Sequence, residues 1–415
     1  MNVTITPGLL SGAITPPPSK SQAHRVLIAA ALAEGVSMLK NVALSQDIQA
    51  TLRCLEALGA SFRWEDDALA VTGLAGKPAS GGELPLLDCG ESGSTLRFLI
   101  PIALVLRGGG RFTGHGRLME RPQGPYFELF REQGIFYEQK DGVLAVRGRL
   151  EPGTFSLPGN VSSQFITGLL YALPLLPGDS EILLTTSLES RGYVDMTLDG
   201  LERFGVRVEN QDYARFLVPG SQSFRARDLT VEADWSNAAF WYAAALLESD
   251  VDIRGLDTHS TQGDAAIAGH YWILARPADA EIDVSGCPDL VPPLAAMAAL
   301  RGEGLTTRLV NAARLRLKES DRLATVTEVL NALGADVEEH DDHLVIHGKD
   351  TLPGGVTVSG HNDHRIAMMA AIAATNCASP VTITGAECVK KSYPDFWTDY
   401  EALGGIIART EEAQP

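Results

Sequence analysis

Two hydrophobic patterns alternate along the chain and define a repeating unit. In the first pattern, an amphipathic stretch of leucine and other apolar residues ends at a glycine, and a polar tip and a short apolar strand follow it. The glycines that end these stretches recur roughly every 70 residues, with one longer interval. They are Gly59, Gly134, Gly205, Gly334 and Gly404. The pattern predicts a surface helix with a glycine C-cap, followed by a β-hairpin.

The second pattern is a polar cluster followed by a long run of alanine, leucine and isoleucine. The clusters begin at Ser21, Ser94, Ser163, Ser236, Asp289 and Asp363. Because the runs are apolar on nearly all sides, as in 366–374, they predict buried helices. The six copies predict an α/β fold of six βαβαββ units, three in each of two domains. The fourth copy is shortened at about 262–286, where the strand pattern survives but the helix-ending glycine does not.

Charge and hydropathy narrow the range of partners. The chain of 415 residues has a net charge of −18 and a pI of about 4.9, which argues against nucleic acid or an anionic membrane as the partner. No apolar run reaches the roughly 18 residues that a membrane helix needs, and residues 1–15 do not resemble a signal peptide. We therefore expect a cytoplasmic protein that binds small molecules.

The cysteines and histidines form no metal-binding pattern. The five cysteines include no CxxC pair, and their odd number favours reduced thiols. His340, His343 and His347 lie in a stretch that predicts a hairpin tip and its return strand. No metal site is expected from these residues.

Cations near the starts of the buried helices are the first indication of function. Lys20, Arg25, Arg97 and Arg365 lie on runs that are otherwise apolar. N-capping explains the serine, aspartate and asparagine residues at these positions, but it does not explain the cations. Because an unpaired cation on a buried helix is costly, we expect a shared anionic ligand. If the six helix N-termini face one cleft, their dipoles, hydroxyls and cations form one large anion site.

The stretch 316–322 carries five charges in seven residues. Ser320 or Asp321 is predicted to cap a helix that follows, which places Lys318, Glu319 and Arg322 at or before a helix start, where an anion is favoured. A solvated, salt-bridged first turn is the alternative interpretation. With the loop cations Arg121 and Lys391, the chain offers enough positive charge for two substrates that each carry phosphate and carboxylate. Asp289 and Glu319 could then serve as base and acid.

Four motifs together resemble the 5-enolpyruvylshikimate-3-phosphate (EPSP) synthase family over the whole length of the chain. They are Pro18–Ser21 with Arg25, the stretch 316–322, the stretch 362–365 and the stretch 391–395. The resemblance implies the two-domain enolpyruvyl transferase fold, an inside-out α/β barrel whose buried helices point their N-termini toward the interdomain cleft. It also implies one domain of residues 1–18 with 229–415, and a second domain of residues 19–228.

The resemblance further implies a reaction. In this family the enolpyruvyl group of phosphoenolpyruvate is transferred to the 5-hydroxyl of shikimate 3-phosphate, phosphate is released, and a tetrahedral intermediate forms on the way to chorismate. No metal or organic cofactor takes part, and a monomer is the expected state. Glyphosate is the inhibitor associated with this family.

Residue roles follow from the resemblance position by position. Asp289 matches the base that receives the hydroxyl proton, Glu319 matches the proton donor and acceptor at the methyl carbon, and Lys20 matches the residue that contacts both substrates and assists the leaving phosphate. The positions implied to bind shikimate 3-phosphate are Lys20, Ser21, Arg25, Ser162, Ser163, Gln164, Ser190, Tyr193, Asp289 and Lys318. The positions implied to bind phosphoenolpyruvate are Lys20, Gly93, Arg121, Gln164, Arg322, Arg365 and Lys391.

Three residues depart from the family pattern. Glu91 replaces an asparagine and places a negative charge near a phosphate-binding turn, where Arg97 or another cation would have to pair with it. Ser94 replaces a threonine, and Arg314 stands where some members have asparagine.

Two alternatives remain open. The related family that transfers enolpyruvate to UDP-N-acetylglucosamine uses a loop cysteine and an early Lys-Asn pair, whereas residues 116–121 contain no cysteine and Lys20 is followed by Ser21. A non-catalytic anion-binding protein of the same fold is the second alternative, and the presence of both Asp289 and Glu319 argues against it.

Overall fold

The computed structural model describes residues 1–75 and 83–411. The chain divides into two compact units, Met1–Pro17 with Ala233–Pro415 (unit 1) and Pro18–Glu232 (unit 2). It begins in unit 1, forms all of unit 2 and then completes unit 1. The predicted crossing after residue 228 lies slightly before the observed one, because Leu229 pairs with Leu39 and Thr230 pairs with Lys40 of unit 2.

Twelve α-helices occur in the described residues. They are α1 (Lys20–Leu32), α2 (Gln46–Leu58), α3 (Gly93–Arg107), α4 (Gly124–Glu132), α5 (Ser163–Ala172), α6 (Arg191–Arg203), α7 (Trp235–Leu246), α8 (Ile267–Leu274), α9 (Val291–Ala299), α10 (Arg322–Leu333), α11 (His364–Ala374) and α12 (Phe396–Ala402).

The strands of the same ranges are mostly three to five residues long. They are β1 (Asn2–Thr6), β2 (Ser11–Ile14), β3 (Val36–Lys40), β4 (Ser61–Glu65), β5 (Ala68–Thr72), β6 (Leu86–Asp88), β7 (Gly109–Thr113), β8 (Phe136–Lys140), β9 (Val143–Arg147), β10 (Thr154–Leu157), β11 (Ser180–Leu184), β12 (Glu209–Gln211), β13 (Arg215–Val218), β14 (Leu229–Thr230), β15 (Asp250–Ile253), β16 (Ala280–Asp283), β17 (Thr306–Val310), β18 (Asp336–Glu339), β19 (Leu344–His347), β20 (Leu352–Gly354), β21 (Thr357–Ser359), β22 (Cys377–Ser379), β23 (Val381–Thr384) and β24 (Ile406–Thr410).

Five four-stranded sheets in the described part of the chain repeat one pattern. In each, two neighbouring parallel strands are followed by two antiparallel ones. Unit 2 contains the orders β14-β3-β5-β4, β6-β7-β9-β8 and β10-β11-β13-β12, and unit 1 contains β16-β17-β19-β18 and β21-β23-β1-β24. The predicted repeat is therefore visible in the strand pairing itself.

The sheet of the fourth unit departs from this pattern. Strands β15 and β2 form only a parallel pair, and the chain passes from α8 to β16 of the next sheet with no hairpin in this described segment. The predicted strand at 281–284 is present as β16, which belongs to the next sheet. The prediction of a shortened fourth unit is confirmed.

The buried helices form the centre of each unit. Helices α1, α3 and α5 contribute to the apolar core of unit 2, and α7, α9 and α11 contribute to that of unit 1. Most of their residues are buried on all sides, as the composition of the runs predicted. Several predicted site residues lie at or near the starts of these helices, so the cores fix where those residues lie.

The predicted helix ends and hairpin tips are also present. Gly59 ends α2 and Gly334 ends α10, both in the left-handed region, with φ of 110° and 101°. Glycine reaches this region without the steric cost that a Cβ would add. The backbone N–H of His340 donates to the carbonyl of His343 at the tip between β18 and β19, so the predicted turn is confirmed.

Two further observations concern the whole described chain. All five cysteines are buried and carry free thiols. Within residues 1–75 and 83–411, no helix combines the length and the apolar composition that crossing a bilayer would require.

Candidate active site

Unit 1 gathers its predicted residues around one buried guanidinium. The helix α10 begins at Arg322 with Asp321 as its N-cap, because the Asp321 carboxylate accepts the N–H of Ala324 at 3.2 Å. Of the two predicted caps, Asp321 is therefore the one used. The capped turn places the Arg322 side chain, only 1% exposed, inside the unit.

Three carboxylates accept hydrogen bonds from Arg322. Nη1 donates to Oδ1 of Asp289 at 2.7 Å, Nη2 donates to Oε2 of Glu319 at 2.7 Å, and Nε donates to Oδ2 of Asp363 at 2.8 Å. Burial would lower the pKa of Arg322, but these three carboxylates raise it above its ordinary value. The two residues predicted as base and acid are thus held by one cation.

Asp289 lies among three cations. It is in a short 3-10 helix, Pro288–Leu290, directly before α9. Besides Arg322, it accepts from Nζ of Lys318 at 3.1 Å and from Nη2 of Arg365 at 3.2 Å. Burial alone would raise the pKa of Asp289, but Arg365, Lys318 and Arg322 together hold it well below its ordinary value. In this arrangement Asp289 is ionised and both of its carboxylate oxygens accept hydrogen bonds.

The remaining cations of unit 1 lie close to the same elements. Burial lowers the pKa of Lys318, and Asp289 opposes that shift. Lys391 is buried and donates from Nζ to the carbonyl of Asn362 at 2.6 Å, just before the start of α11. Lys318, Arg322, Arg365 and Lys391 therefore all belong to unit 1, as four of the eight predicted cations.

Asp363 and Asp264 also lie near these charged groups, although neither was predicted as a site residue. Asp363 is fully buried, caps α11 by accepting the N–H of Arg365 at 3.0 Å, and accepts from Ser320 at 3.0 Å. Its place in the motif 362–365, two residues before the predicted site residue Arg365, could have indicated it. Asp264 is buried in the shortened fourth unit, where burial and the charge of Asp289 raise its pKa to about 6. Nothing in the local sequence indicated that Asp264 lies near Asp289.

Unit 2 holds the other four predicted cations: Lys20 and Arg25 on α1, Arg97 on α3, and Arg121 directly after the 3-10 helix Leu118–Glu120. Ser19 caps α1 and places Lys20 at its first position, where Nζ donates to Oδ2 of Asp47 at 2.9 Å. Asp47 lies in the first turn of α2, a contact that the sequence did not predict.

Arg25 is buried and surrounded by neutral acceptors. It donates from Nε to the hydroxyl of Thr197 at 2.9 Å, from Nη1 to the carbonyl of Ser21 at 2.7 Å, and from Nη2 to the carbonyl of Tyr193 at 2.8 Å. The guanidinium carbon lies 5.3 Å from the ring centre of Phe98. Burial lowers the pKa of Arg25 to about 10, which still leaves it charged at neutral pH. Ser21, Arg25 and Tyr193 are thus brought together.

Arg97 and Gln164 link α3 to α5. Arg97 donates from Nη1 to Oε1 of Gln164 at 2.8 Å, and Gln164 donates from Nε2 to the hydroxyl of Ser94 at 3.1 Å. The Ser162 hydroxyl caps α5 by accepting the N–H of Gln164 at 3.3 Å. The hydroxyl of Ser94, which replaces a threonine of the family pattern, therefore accepts a hydrogen bond in this link.

Gly93 allows a close approach of Arg121. A Cβ on Gly93 would lie 2.7 Å from Nη1 of Arg121, closer than side chains tolerate. In the same way a Cβ on Gly116 would meet the carboxylate of Glu91. The Glu91 carboxylate also lies 3.9 Å from the His115 ring. The glycine-rich turns are therefore places where charged side chains lie against the backbone.

The remaining predicted residues of unit 2 sit at helix starts. Ser163 is buried in the first position of α5. Ser190 precedes α6 in the left-handed region, with φ of 56°, and its carbonyl accepts the N–H of Tyr193. A serine in that conformation carries a steric cost that a functional position can justify.

In unit 1, Arg314, which departs from the family pattern, donates to the carbonyl of Ser285.

The fold and these clusters define an α/β protein with paired carboxylates among buried cations. Its fold is similar to that of "EPSP synthase from Acinetobacter baumannii", with a TM-score of 0.80, 23% identity, and coverage of 99% of this chain and 100% of that chain. A second structure of the A. baumannii EPSP synthase matches with a TM-score of 0.80 and 23% identity over 98% of this chain and 100% of that chain.

Sequence comparison identifies the family. A family model described as EPSP synthase (3-phosphoshikimate 1-carboxyvinyltransferase) matches residues 5–400. The chain is 45% identical to the 3-phosphoshikimate 1-carboxyvinyltransferase of Clostridium beijerinckii and 46% identical to that of Clostridium kluyveri, with 98% of each chain covered in both cases. The chain belongs to the EPSP synthase family, which confirms the resemblance seen in its motifs.

Proposed function

We propose that this chain transfers the enolpyruvyl group of phosphoenolpyruvate to the 5-hydroxyl of shikimate 3-phosphate and releases phosphate. Family membership and the names of the relatives support this reaction. The observation that carries the residue-level proposal is the contact of Arg322 with both Asp289 and Glu319, each at 2.7 Å. A base and an acid held at one cation suit a reaction that moves a proton at two neighbouring atoms of the substrates.

The addition step uses both carboxylates. The 5-hydroxyl oxygen forms a bond to the enol carbon of phosphoenolpyruvate, and the hydroxyl proton passes to Asp289. The electron pair of the double bond takes a proton from Glu319, so that the methylene group becomes a methyl group. The product is a tetrahedral intermediate that still carries the phosphate group.

The elimination step reverses the role of Glu319. The bond between the central carbon and the phosphate oxygen breaks, and phosphate leaves with the electron pair. Glu319 takes a proton from the methyl group, and the double bond forms again in the enolpyruvyl ether. Cations stabilise the charge that develops on the leaving phosphate, and we assign this role to Lys20.

Substrate-binding roles are proposed for each unit separately. In unit 1, Lys318 and Asp289 bind shikimate 3-phosphate, and Arg322, Arg365 and Lys391 bind phosphoenolpyruvate. In unit 2, the residues proposed to bind shikimate 3-phosphate are Ser21, Arg25, Ser162, Ser163, Ser190 and Tyr193. Gly93 and Arg121 are proposed to bind phosphoenolpyruvate, whereas Lys20 and Gln164 are proposed to contact both substrates. Serine hydroxyls and guanidinium groups are suited to phosphate oxygens.

Replacement of Glu319 tests the acid–base assignment. We expect Glu319→Gln to lower the rate of phosphate release by roughly 10²- to 10⁴-fold, because glutamine cannot transfer the proton. Glu328→Gln is the matched control, since Glu328 lies on α10, is exposed and pairs with His361. Unchanged turnover in Glu319→Gln would overturn the assigned role.

The choice of acceptor tests the reaction itself. Phosphate release should require shikimate 3-phosphate and should persist after dialysis against a chelator, because the charge stabilisation comes from side chains. Turnover only with UDP-N-acetylglucosamine would replace this proposal with the related transferase activity.

A further inference from the structure

A chain of buried hydrogen bonds crosses three helices of unit 2. Nδ1 of His24 on α1 lies 2.7 Å from the hydroxyl of Thr51 on α2, which lies 2.7 Å from the hydroxyl of Thr95 on α3. The Thr95 hydroxyl donates at 2.7 Å to that of Ser92, the N-cap of α3. None of the four residues is more than 1% exposed. Polar groups this deep in a core are costly unless each is bonded, so their pairing specifies how the helices meet.

The donor and the acceptor of each hydrogen bond in this network can be assigned. Because the Thr95 proton goes to Ser92, the 2.7 Å contact between the two threonines requires Thr51 to donate. The carbonyl of Asp47 is a weaker alternative acceptor for Thr51, at 3.3 Å. With the Thr51 proton used in this way, the contact with His24 requires Nδ1–H of the imidazole to donate. His24 is therefore the Nδ1–H tautomer.

The surroundings of His24 keep it neutral. Burial lowers its pKa well below the ordinary value, and the charges of Lys20 and Arg25 add to this effect. Nε2 is buried and has no hydrogen-bond partner among the described residues, so a proton there would be a buried donor without an acceptor. Both observations favour the same neutral tautomer.

Each end of this hydrogen-bond network lies within about one helical turn of residues that carry the proposed function. Lys20 begins α1 and binds Asp47 in the first turn of α2, whereas Gly93 begins α3 and contacts Arg121. We propose that the His24–Thr51–Thr95–Ser92 chain is a positioning network that fixes the N-termini of α1, α2 and α3, and through them Lys20 and the Gly93–Arg121 contact. This inference rests on the proposed function only in that it names phosphoenolpyruvate as the anion that these residues bind.

Thr51 is the point at which the network can be opened with least disturbance. Thr51→Val keeps the volume and removes only the hydroxyl, whereas Thr51→Ser keeps the hydroxyl and removes a methyl group. We expect Thr51→Val to raise KM for phosphoenolpyruvate about tenfold with a smaller change in kcat, and Thr51→Ser to stay close to wild type. Ser37→Ala is the control, because Ser37 is a buried hydroxyl of the same unit that bonds the N–H of Arg227 and lies outside the network. It should lower Tm and leave KM unchanged.

The imidazole provides a second readout that does not depend on activity. In ¹⁵N-histidine-labelled protein near pH 7, the signals absent from His24→Gln identify His24. They should show a neutral ring with the proton on Nδ1, and Thr51→Val should shift the Nδ1 signal. A cationic ring or an Nε2–H tautomer in the wild type would overturn the proposal, even if Thr51→Val failed to fold. So would equal KM values for Thr51→Val and Thr51→Ser.

Failure of the proposed function is distinguishable from failure of the network. Titration calorimetry with phosphoenolpyruvate in the absence of shikimate 3-phosphate measures binding without turnover. A wild type that binds but does not turn over contradicts the reaction, whereas weaker binding by Thr51→Val, restored in Thr51→Ser, supports the network.

Discussion

Arg322 donates from Nη1 to Oδ1 of Asp289 over 2.7 Å, and this contact joins a proposed substrate cation to the proposed base. Nη2 of the same guanidinium holds Glu319. A substrate anion that binds Arg322 therefore competes with both carboxylates for the same N–H donors. The neighbouring cations hold the pKa of Asp289 low. If these cations bond a substrate anion instead, the pKa of Asp289 rises, and the carboxylate becomes a stronger base for the proposed proton transfer.

The competition predicts an unusual behaviour of Asp289→Asn. We expect turnover to fall by roughly 10²- to 10⁴-fold, because the base is lost. We also expect calorimetry to show phosphoenolpyruvate binding at least as tightly as in the wild type, since one negative charge no longer competes for Arg322, Arg365 and Lys318. The exposed Asp336→Asn controls for the change in net charge. Clearly weaker binding by folded Asp289→Asn would contradict the competition.

Local patterns were sufficient to predict the repeating architecture and the helix start at Arg322. The glycine C-caps and the all-apolar runs each depend on residues within one or two turns, and these were confirmed. The motif 316–322 also has a local cause, because Asp321 caps the helix that begins at Arg322. Such features are readable from sequence because the interacting groups are neighbours in the chain.

The partners of the buried cations could not be predicted in this way. The guanidinium of Arg25 bonds Thr197 and the carbonyl of Tyr193, which are 172 and 168 residues away in sequence. Acceptors on α6 therefore hold this side chain in place, and no local pattern indicates them. Asp363 and Asp47 were missed for a related reason. Their bonds to Arg322 and Lys20 form only when separate helices pack against each other.

Gly93→Ala should weaken phosphoenolpyruvate binding without unfolding the protein. The added Cβ would lie 2.7 Å from Nη1 of Arg121, so the guanidinium has to move. We expect KM for phosphoenolpyruvate to rise about tenfold, the equivalent of a lost charge-assisted hydrogen bond, with little change in Tm. Gly124→Ala is the control, because a Cβ there meets nothing within 4 Å. Equal KM values in the two variants would contradict this interpretation of the contact.

The raised pKa of Asp264 predicts that the stability of the folded protein depends on pH. Its pKa rises from 3.8 to about 6, chiefly through burial and then through repulsion from Asp289. The protonated form is thus favoured by folding, and its stabilising contribution is complete below 3.8 and is lost as the pH rises through about 6. Asp264→Asn mimics the neutral form, so it should stabilise the protein by up to about 3 kcal/mol at pH 8 and by roughly half of that at pH 5.

Thermal unfolding of Asp264→Asn and wild type between pH 5 and pH 8 measures this difference. The exposed Asp250→Asn serves as the control and should show no such trend. A stabilisation that is constant across the range, or that grows toward low pH, would show that Asp264 is not protonated preferentially in the folded chain.

Arg316 is predicted to position the loop that carries Lys318 and Glu319. It donates from Nη1 to Asp321 at 3.0 Å and to Glu339 at 2.7 Å, and thereby ties the start of α10 to the end of β18. Carbonyls at the hairpin tip accept its other donors, at 2.8 Å and 3.1 Å. Since Lys318 and Glu319 lie between Arg316 and Asp321 in sequence, loss of these bonds leaves both side chains less fixed.

We expect Arg316→Gln to lower kcat/KM about tenfold and to cost about 1 kcal/mol of stability, because the side chain is partly exposed and its ion pairs are screened. Arg308→Gln is the matched control, since Arg308 forms an exposed pair with Glu281 on neighbouring strands of the same unit. If Arg316 only stabilises the fold, conditions that restore the Tm of Arg316→Gln, such as a stabilising osmolyte, should also restore kcat/KM. If Arg316 positions the loop, kcat/KM measured by phosphate release should stay low even when the stability of Arg316→Gln matches that of the wild type. An osmolyte strengthens burial, but it cannot replace the two hydrogen bonds that hold the loop.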